Sequence, residues 1–256
     1  MKKILIFLFG GLTFLIPTWI WAAMVDVAIV SEYHRRLPLY PAGSADPGTY
    51  RSYVEAVRGM RYAIRIRNHT PQRIGVVIAV DGRNIISGEM SQLGRGERMY
   101  ILPPYGSGLY EGWRTARDQV NRFYFTDAPD SYAGAWGDYS AMGVIAVAVF
   151  REQGPPQVFY ERREEKEGSM GKELPMARSA PPGTGFGERV YSPSVRVDFE
   201  AEPFPAERHF IKYEWRETLC RKGIIDCRPY YNRFWDERRG YVPPPPPPPY
   251  YPYPRR

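Results

Sequence analysis

The 256-residue chain is 43% hydrophobic, which is too apolar for an intrinsically disordered protein and typical of a globular one. Its formal net charge of +7 does not indicate nucleic-acid binding, because Lys2 and Lys3 supply two of the positive charges and residues 228–256 supply a net four more. The remaining body, about 200 residues, is long enough for one all-β domain or two small ones.

The N-terminus predicts a signal peptide over residues 1–22. Two lysines precede an apolar run over residues 4–16, and the small residues Ala22 and Ala23 follow it. The alternative is an uncleaved membrane anchor, since residues 4–23 come close to the roughly 20 residues that span a bilayer. If the segment is cleaved, the chain has no other predicted contact with a membrane, and we expect it in the periplasm or outside the cell.

Residues 53–67 predict two strands joined by a turn. Apolar side chains alternate with arginines over residues 61–67, so one face of this strand is expected to lie in the core. The other face carries a row of arginines, and we expect it to be a solvated or ion-paired sheet surface. The run over residues 53–57 predicts the second strand, with a hairpin turn at Arg58 and Gly59. The alternative for this run is a short helix.

Residues 74–80 predict a strand that is buried on both faces, because they are continuously apolar and rich in β-branched side chains. The Asp81-Gly82 dipeptide that follows predicts a hairpin. A short helix is predicted over residues 216–223. Further strands are predicted over residues 25–30, 99–102, 109–114, 120–126, 143–150, 191–199 and 209–215.

Two segments are predicted to lie outside the folded core. Residues 161–188 are rich in charge, glycine and proline, which predicts a flexible insertion. Residues 228–256 form a tail rich in proline, tyrosine and arginine, with seven consecutive prolines at 243–249. Such a tail is a spacer or a ligand for an aromatic-lined groove. The folded domain is therefore expected over residues 23–227.

Many short strands, glycine- and proline-rich turns and no long helical pattern predict an all-β protein. We expect an antiparallel β-sandwich or a jelly-roll-like arrangement. No internal repeat is visible, which argues against a propeller or solenoid.

The sequence resembles an uncharacterised family of exported bacterial β-sandwich proteins. The resemblance covers roughly residues 51–151 and implies an exported β-domain with no known activity. It is carried by YVEA at 53–56, YAIRIRN at 62–68, RIGVVIAVDGRNII at 73–86, GWR at 112–114, FYFT at 123–126, SYA at 131–133 and GVIAVAVF at 143–150.

No local pattern indicates catalysis, a metal site or a cofactor. The three histidines have no further ligand at metal-binding spacing, and no nucleophile elbow or phosphate-binding loop is present. Acidic residues 111, 127, 130 and 138 leave a calcium loop open as an alternative to ordinary loop acids. We therefore expect a protein that is not an enzyme.

Six loop aromatics are candidate binding residues, because tyrosine and tryptophan offer large contact areas at low entropic cost. The alternative is that Trp113 and Tyr132 belong to the core. The candidates are Tyr105, Tyr110, Trp113, Tyr132, Trp136 and Tyr139.

Cys220 and Cys227 are the only cysteines, and an exported chain meets an oxidising compartment. Gly223 between them allows the chain to reverse, so a structural disulfide is predicted.

The sequence as a whole predicts a non-catalytic exported module that binds or scaffolds in the cell envelope. A protein or an envelope polymer is the expected partner, with the tail as one docking element and no nucleic acid. The alternatives are an envelope enzyme that acts on polysaccharide or peptide and a subunit of an extracellular appendage.

Overall fold

A computed structural model describes residues 23–43, 46–154 and 180–227 of the chain. Its strands form two sheets that pack face to face, so the predicted β-sandwich is confirmed. In chain order the strands are β1 (Val25–Ser31), β2 (Leu39–Ala42), β3 (Thr49–Ala56), β4 (Arg61–Asn68), β5 (Ile74–Val80), β6 (Arg83–Asn84), β7 (Tyr100–Leu102), β8 (Ser107–Tyr110), β9 (Gly112–Ala116), β10 (Gln119–Asp127), β11 (Val144–Arg151), β12 (Pro182–Thr184), β13 (Arg189–Tyr191) and β14 (Glu207–Trp215). The helices are a 3-10 turn (Ala128–Asp130), α1 (Tyr132–Ala135) and α2 (Arg216–Arg221).

The first sheet has the order β1-β4-β10-β12, with β8 beside β4 and with β9 and β13 beside β10. The second sheet has the order β2-β3-β14-β11-β5-β6, with β7 beside β5. The main core lies between the two sheets and is built from their inward side chains, among them Ile64, Phe123, Ile78 and Tyr213. This two-layer arrangement buries the apolar face of each sheet against the other.

Strand β4 has the alternation that its sequence predicts. Tyr62, Ile64 and Ile66 are buried in the core. Arg61, Arg65 and Arg67 are exposed on the outer face. Arg61 is ion-paired, with its guanidinium 3.3 Å from Glu32 and 3.0 Å from Glu188. The arginine row is thus in part the ion-paired sheet surface that we expect.

Strand β5 is buried on both faces, as predicted. Alternate residues such as Val76 and Ile78 point into the main core. On the outer face, Val77 packs with Phe150 and Ala201 in a second apolar cluster, which Leu93, Met99 and Phe199 cover. The loops that carry these covering residues explain why the strand is apolar throughout. The Asp81-Gly82 hairpin is also confirmed, since β6 pairs with β5 through Val80 and Arg83.

Two pairing predictions were wrong. Residues Arg58 and Gly59 do not close a hairpin, because β3 belongs to the second sheet and β4 to the first. Their turn carries the chain across the sandwich. Strand β3, which is a strand rather than the alternative helix, pairs in parallel with β14, so the sheets are not wholly antiparallel. Periodicity shows which face of a strand is buried but does not identify its neighbour.

The predicted strand over residues 191–199 was also wrong. Only Arg189–Tyr191 pairs, with β10. Val195 is 86% exposed, so its alternation with Val197 does not mark a core face. Phe199 alone of the three apolar residues packs on the sheet.

The predicted disulfide is confirmed. Cys220 and Cys227 are bonded, with their α-carbons 5.4 Å apart. Helix α2 precedes the bridge, and Gly223 reverses the chain with a φ of +68°. Leu219 on α2 is fully buried. Within the described residues, no helix is long and apolar enough to cross a membrane.

Several predictions fall on residues that the structure does not describe: the signal peptide at 1–22, the tail at 228–256 and most of the insertion at 161–188. The end of that insertion is described and corrects the prediction. Residues Pro182–Thr184 form β12, pair with β10 and are buried. Because strand pairing uses the backbone, a glycine-rich segment can join a sheet without large apolar side chains.

Candidate functional site

Two of the six predicted aromatics belong to the core and are not binding residues. Trp113 is 2% exposed, its indole N–H donates to the carbonyl of Gly185 at 3.0 Å, and its ring meets Phe123 edge-on at 5.3 Å. Tyr110 is buried against Tyr100 at 4.4 Å. Both lie on strands, with their rings turned inward, rather than on loops. The alternative that Trp113 is a core residue was therefore correct.

Tyr105 and Tyr139 are exposed but isolated. Tyr105 lies in a tight turn with a φ of +56°, and Tyr139 follows Asp138 in the loop before β11. Among the described residues neither ring stacks on another aromatic ring. The prediction that they bind a ligand is neither supported nor contradicted by this arrangement.

Tyr132 and Trp136 do come together, and Phe186 joins them. The Phe186 ring stacks on Tyr132 at 5.5 Å, and Trp136 meets Tyr132 at 6.4 Å. Trp136 is 64% exposed and Phe186 is 44% exposed. With Tyr124 these rings bound an open cavity of about 450 Å³. We call the four side chains the aromatic shelf.

A short capped turn fixes the position of Tyr132 and Trp136. The Ser131 hydroxyl accepts from the Gly134 N–H at 3.0 Å and donates to the Ala128 carbonyl at 2.6 Å. This is the N-cap arrangement that serine favours. The Trp136 N–H donates to the Ala133 carbonyl at 3.0 Å, so the helix ends where the indole emerges.

A nearly buried ion pair supports Trp136 from behind. The guanidinium of Arg83, on β6, lies 5.5 Å from the Trp136 ring centroid. Its Nε lies 3.6 Å from Asp138 Oδ2, and it donates to the Gly88 carbonyl at 2.9 Å. A cation over an indole face is attracted to the ring, and the contacts with Asp138 and Gly88 keep the guanidinium in this position. The indole is therefore held by Arg83 and Tyr132 while most of the residue stays exposed.

Backbone hydrogen bonds hold Phe186. The N–H of Gly185 donates to the Tyr124 carbonyl and the N–H of Gly187 to the Arg122 carbonyl, each at 2.9 Å. The Asn121 side chain donates to the Gly187 carbonyl at 2.7 Å. The sequence did not predict Phe186 as a binding residue, because it lies within residues 161–188, whose composition predicted a flexible segment. An aromatic residue between two glycines in an otherwise polar segment is the only local signal of its role.

A buried polar network lies beneath this region, around Asp81. Its Oδ1 accepts from the Gly143 N–H at 2.8 Å and, in a short bond, from the Tyr213 hydroxyl. Its Oδ2 accepts from the Thr184 N–H at 2.7 Å. The Thr184 hydroxyl in turn contacts the hydroxyls of Tyr213 at 2.8 Å and Tyr62 at 2.7 Å. The network therefore joins β12 to both sheets.

Burial raises the pKa of Asp81 to about 6, and its hydrogen bonds limit the rise. Burial also raises the pKa of Tyr213 well above its usual value, and the Asp81 charge adds to the effect. A shifted pKa in a cleft can mark a catalytic group. Asp81 is fully buried, however, so no substrate reaches it. We interpret the network as structural.

Three of the four loop acids that left a calcium site open, Glu111, Asp127 and Asp138, lie within 4.0 Å of an arginine. Asp127 is ion-paired with Arg58 at 3.3 Å, and Glu111 lies 3.9 Å from Arg122. In the part of the chain that the structure describes, no three histidine, cysteine or acidic side chains lie close enough together to hold a metal ion.

Comparison with known proteins adds no relative: no family model, no curated protein and no solved structure matches the chain. The resemblance to exported bacterial proteins stays a prediction.

Proposed function

We propose that the chain is a non-catalytic binding module exported to the cell envelope, and that the aromatic shelf is its contact surface. The observation that carries this proposal is the shelf itself. Trp136 and Phe186 are exposed, yet both rings pack against Tyr132. Arg83 also contacts Trp136, and backbone hydrogen bonds of Gly185 and Gly187 hold the segment of Phe186. Exposed rings that are already rigid lose little entropy on binding, which favours affinity.

The chemistry of the shelf favours a ligand with a flat apolar face. Its rings provide tyrosine, tryptophan and phenylalanine surfaces, and Asp130 is the charged residue at its rim. A sugar ring or an apolar side chain fits such a surface. The partner is thus an envelope polymer or an envelope protein. The predicted signal peptide and the disulfide support export as its setting.

We test the proposal with the double variant Trp136→Ala/Phe186→Ala. The mature protein is incubated with purified cell-envelope fragments, and the bound fraction is measured by cosedimentation. Truncating two central aromatic anchors is expected to lower binding by about tenfold or more. The control is Tyr33→Ala/Phe204→Ala, which removes two strongly exposed rings that lie outside the shelf. Equal binding by the two variants would contradict the proposal.

The tail is proposed as a second docking element or as a spacer. The same measurement on a chain without residues 228–256 separates the two roles. If the tail is a spacer, its removal leaves binding to isolated envelope fragments unchanged. If the tail is a docking element, its removal lowers binding even though the shelf is intact.

A further inference from the structure

A long groove lies away from the aromatic shelf, between β7, the end of β9 and residues 192–197. It consists of two adjoining cavities of about 660 and 560 Å³. Both are lined by Tyr100, Arg114 and Arg196. Each cavity alone has the volume of a small-ligand site, so together they form a groove suited to a longer ligand.

Arginines dominate the charge of this groove. The arginines that line it are Arg95, Arg98, Arg114, Arg117 and Arg196. The acid that lines it, Glu97, is occupied: its Oε1 accepts from the N–H groups of Gln92 at 2.9 Å and Gly94 at 2.8 Å, and its Oε2 from Asn84 at 3.2 Å. The groove therefore has a strong excess of positive charge.

These five arginines have no acidic partner in the part of the chain that the structure describes. Within the described residues, none of the five lies within 4.0 Å of a carboxylate oxygen. Several arginines elsewhere on the sandwich do have one, such as Arg36 with Asp26 at 2.8 Å and Arg216 with Glu55 at 3.0 Å, but they are not gathered in one cavity. Positive side chains gathered without counter-charges repel one another, and an anionic ligand would relieve that repulsion.

Arg114 is held rigidly at the centre of the groove. It donates to the Tyr100 hydroxyl at 2.8 Å and to the carbonyl and hydroxyl of Ser192 at 2.9 and 3.2 Å. Its guanidinium lies 5.5 Å from the Tyr100 ring centroid. Tyr100 is therefore covered, and it is the one aromatic ring shared by both cavities. Base recognition in single strands depends on free aromatic faces, so the groove is poorly equipped for it.

We propose that this groove binds the acidic groups of a polysaccharide chain. Guanidinium groups match carboxylate and sulfate oxygens in geometry and stay charged at all relevant pH values. Exposed Arg98 and Arg117 lie toward one end and Arg95 toward the other, so successive charges of an extended polymer can be met along its length. The site shares no residue with the shelf and does not depend on the function proposed for it.

The test compares two double variants with the same change in charge. Arg98→Gln/Arg117→Gln alters the groove, whereas Arg65→Gln/Arg67→Gln alters exposed arginines of β4 that also lack a carboxylate within 4.0 Å among the described residues. Both retain the basic tail, so any binding by the tail is the same in each. The probes are polygalacturonate, heparin, uncharged dextran and a single-stranded oligonucleotide, each measured by titration calorimetry at low and high ionic strength.

We expect polygalacturonate and heparin to bind and dextran not to bind. The groove variant should lose about tenfold in affinity, as for the loss of a charged hydrogen bond. The β4 variant should lose about twofold or less, and added salt should weaken binding to the unaltered protein. Thermal melting checks that both variants are folded.

Three outcomes would overturn the assignment. Equal losses in the two variants would show that only overall charge matters. If neither polygalacturonate nor heparin binds, the groove is not a site for acidic polysaccharides. An oligonucleotide that binds as tightly as heparin, with the same loss in the groove variant, would assign the site to nucleic acid. The variant Trp136→Ala/Phe186→Ala should bind the acidic glycans normally, so failure of this proposal and failure of the shelf are distinguishable.

Discussion

At the scale of single residues, Asp81 links the stability of the sandwich to pH. Its carboxylate is fully buried and accepts hydrogen bonds from Gly143, Thr184 and Tyr213. Burial raises its pKa from 3.8 to about 6. The folded protein thus binds this proton more tightly than the unfolded chain. The stability that Asp81 contributes is greatest below about pH 4 and falls as the pH rises towards 6.

We predict that the difference in unfolding free energy between the natural protein and Asp81→Asn narrows from pH 4 to pH 7. The rise of the Asp81 pKa from 3.8 to about 6 corresponds to on the order of 3 kcal/mol. The asparagine variant should be less stable throughout, because its amide N–H₂ would face the backbone donor of Thr184 or Gly143. Urea denaturation across this pH range measures both proteins. A gap that stays constant or widens with pH would contradict the assignment.

Comparison between the variants is necessary because other acids act in the opposite direction. Hydrogen bonds from Arg73 lower the pKa of Glu152, so the stability that Glu152 contributes to the fold is lost as the pH falls. The Asp81→Asn protein retains Glu152, and its contribution cancels in the difference.

The sequence could identify Asp81 only as part of a hairpin. That prediction was correct, since the Asp-Gly pair adopts positive φ at both positions, +51° and +81°. The partners of its carboxylate lie 62, 103 and 132 residues further along the chain. Contacts at such separations follow from the sheet pairing, which local patterns do not encode.

At the scale of elements, the segment from β12 to Gly187 links the core to the aromatic shelf. Thr184 joins the Asp81 network, Gly185 accepts from Trp113, and Phe186 completes the shelf. The sequence predicted Tyr132 and Trp136 as candidate binding residues but placed this segment in a flexible insertion. Composition shows how much apolar surface a segment can bury, and it does not show a segment held by backbone bonds to a neighbouring strand.

We predict that Gly185→Ala destabilises the protein by about 1–3 kcal/mol. A β-carbon at this position would collide with the Tyr124 ring, so either the ring or the segment must move. Because Phe186 is the next residue, binding through the shelf should fall as well. Gly96→Ala is the matched control, since nothing lies within 4 Å of a β-carbon there. Equal denaturation midpoints for the two variants would show that the segment around Gly185 accommodates a β-carbon without loss of stability.

At the scale of the whole molecule, a strand from early in the chain pairs with the last strand of the second sheet. Strand β3 lies parallel to β14 over eight residue pairs, from Thr49 with Arg208 to Ala56 with Trp215. The sequence predicted the two-layer class, and it predicted β1, β4, β5, β10, β11 and β14 within a few residues. It could not predict which strands are neighbours, because an alternating strand fits either sheet equally well.

Helix α2 then fastens the C-terminal end of the described domain to this pair. Arg216 is 3.0 Å from Glu55 on β3, and Lys222 donates to Glu214 on β14 at 2.7 Å. Leu219 is fully buried between these contacts. The disulfide between Cys220 and Cys227 closes the segment that follows. Since α2 packs on both strands, a more mobile α2 should weaken the pairing between β3 and β14.

We therefore predict that Cys220→Ser/Cys227→Ser lowers the unfolding free energy of the entire domain by about 2–3 kcal/mol, the contribution expected for a short disulfide loop. Urea denaturation followed by tryptophan fluorescence measures the change, because Trp113 and Trp215 are both buried and lie in different sheets, so the signal follows unfolding of the whole domain. Reductant should destabilise the natural protein by a similar amount and leave the double-serine variant unchanged, which separates loss of the bridge from an effect of the serines. If the midpoint does not move while amide exchange rises only at residues 216–227, the bridge secures the end of the chain locally and the rest of the sandwich is closed without it.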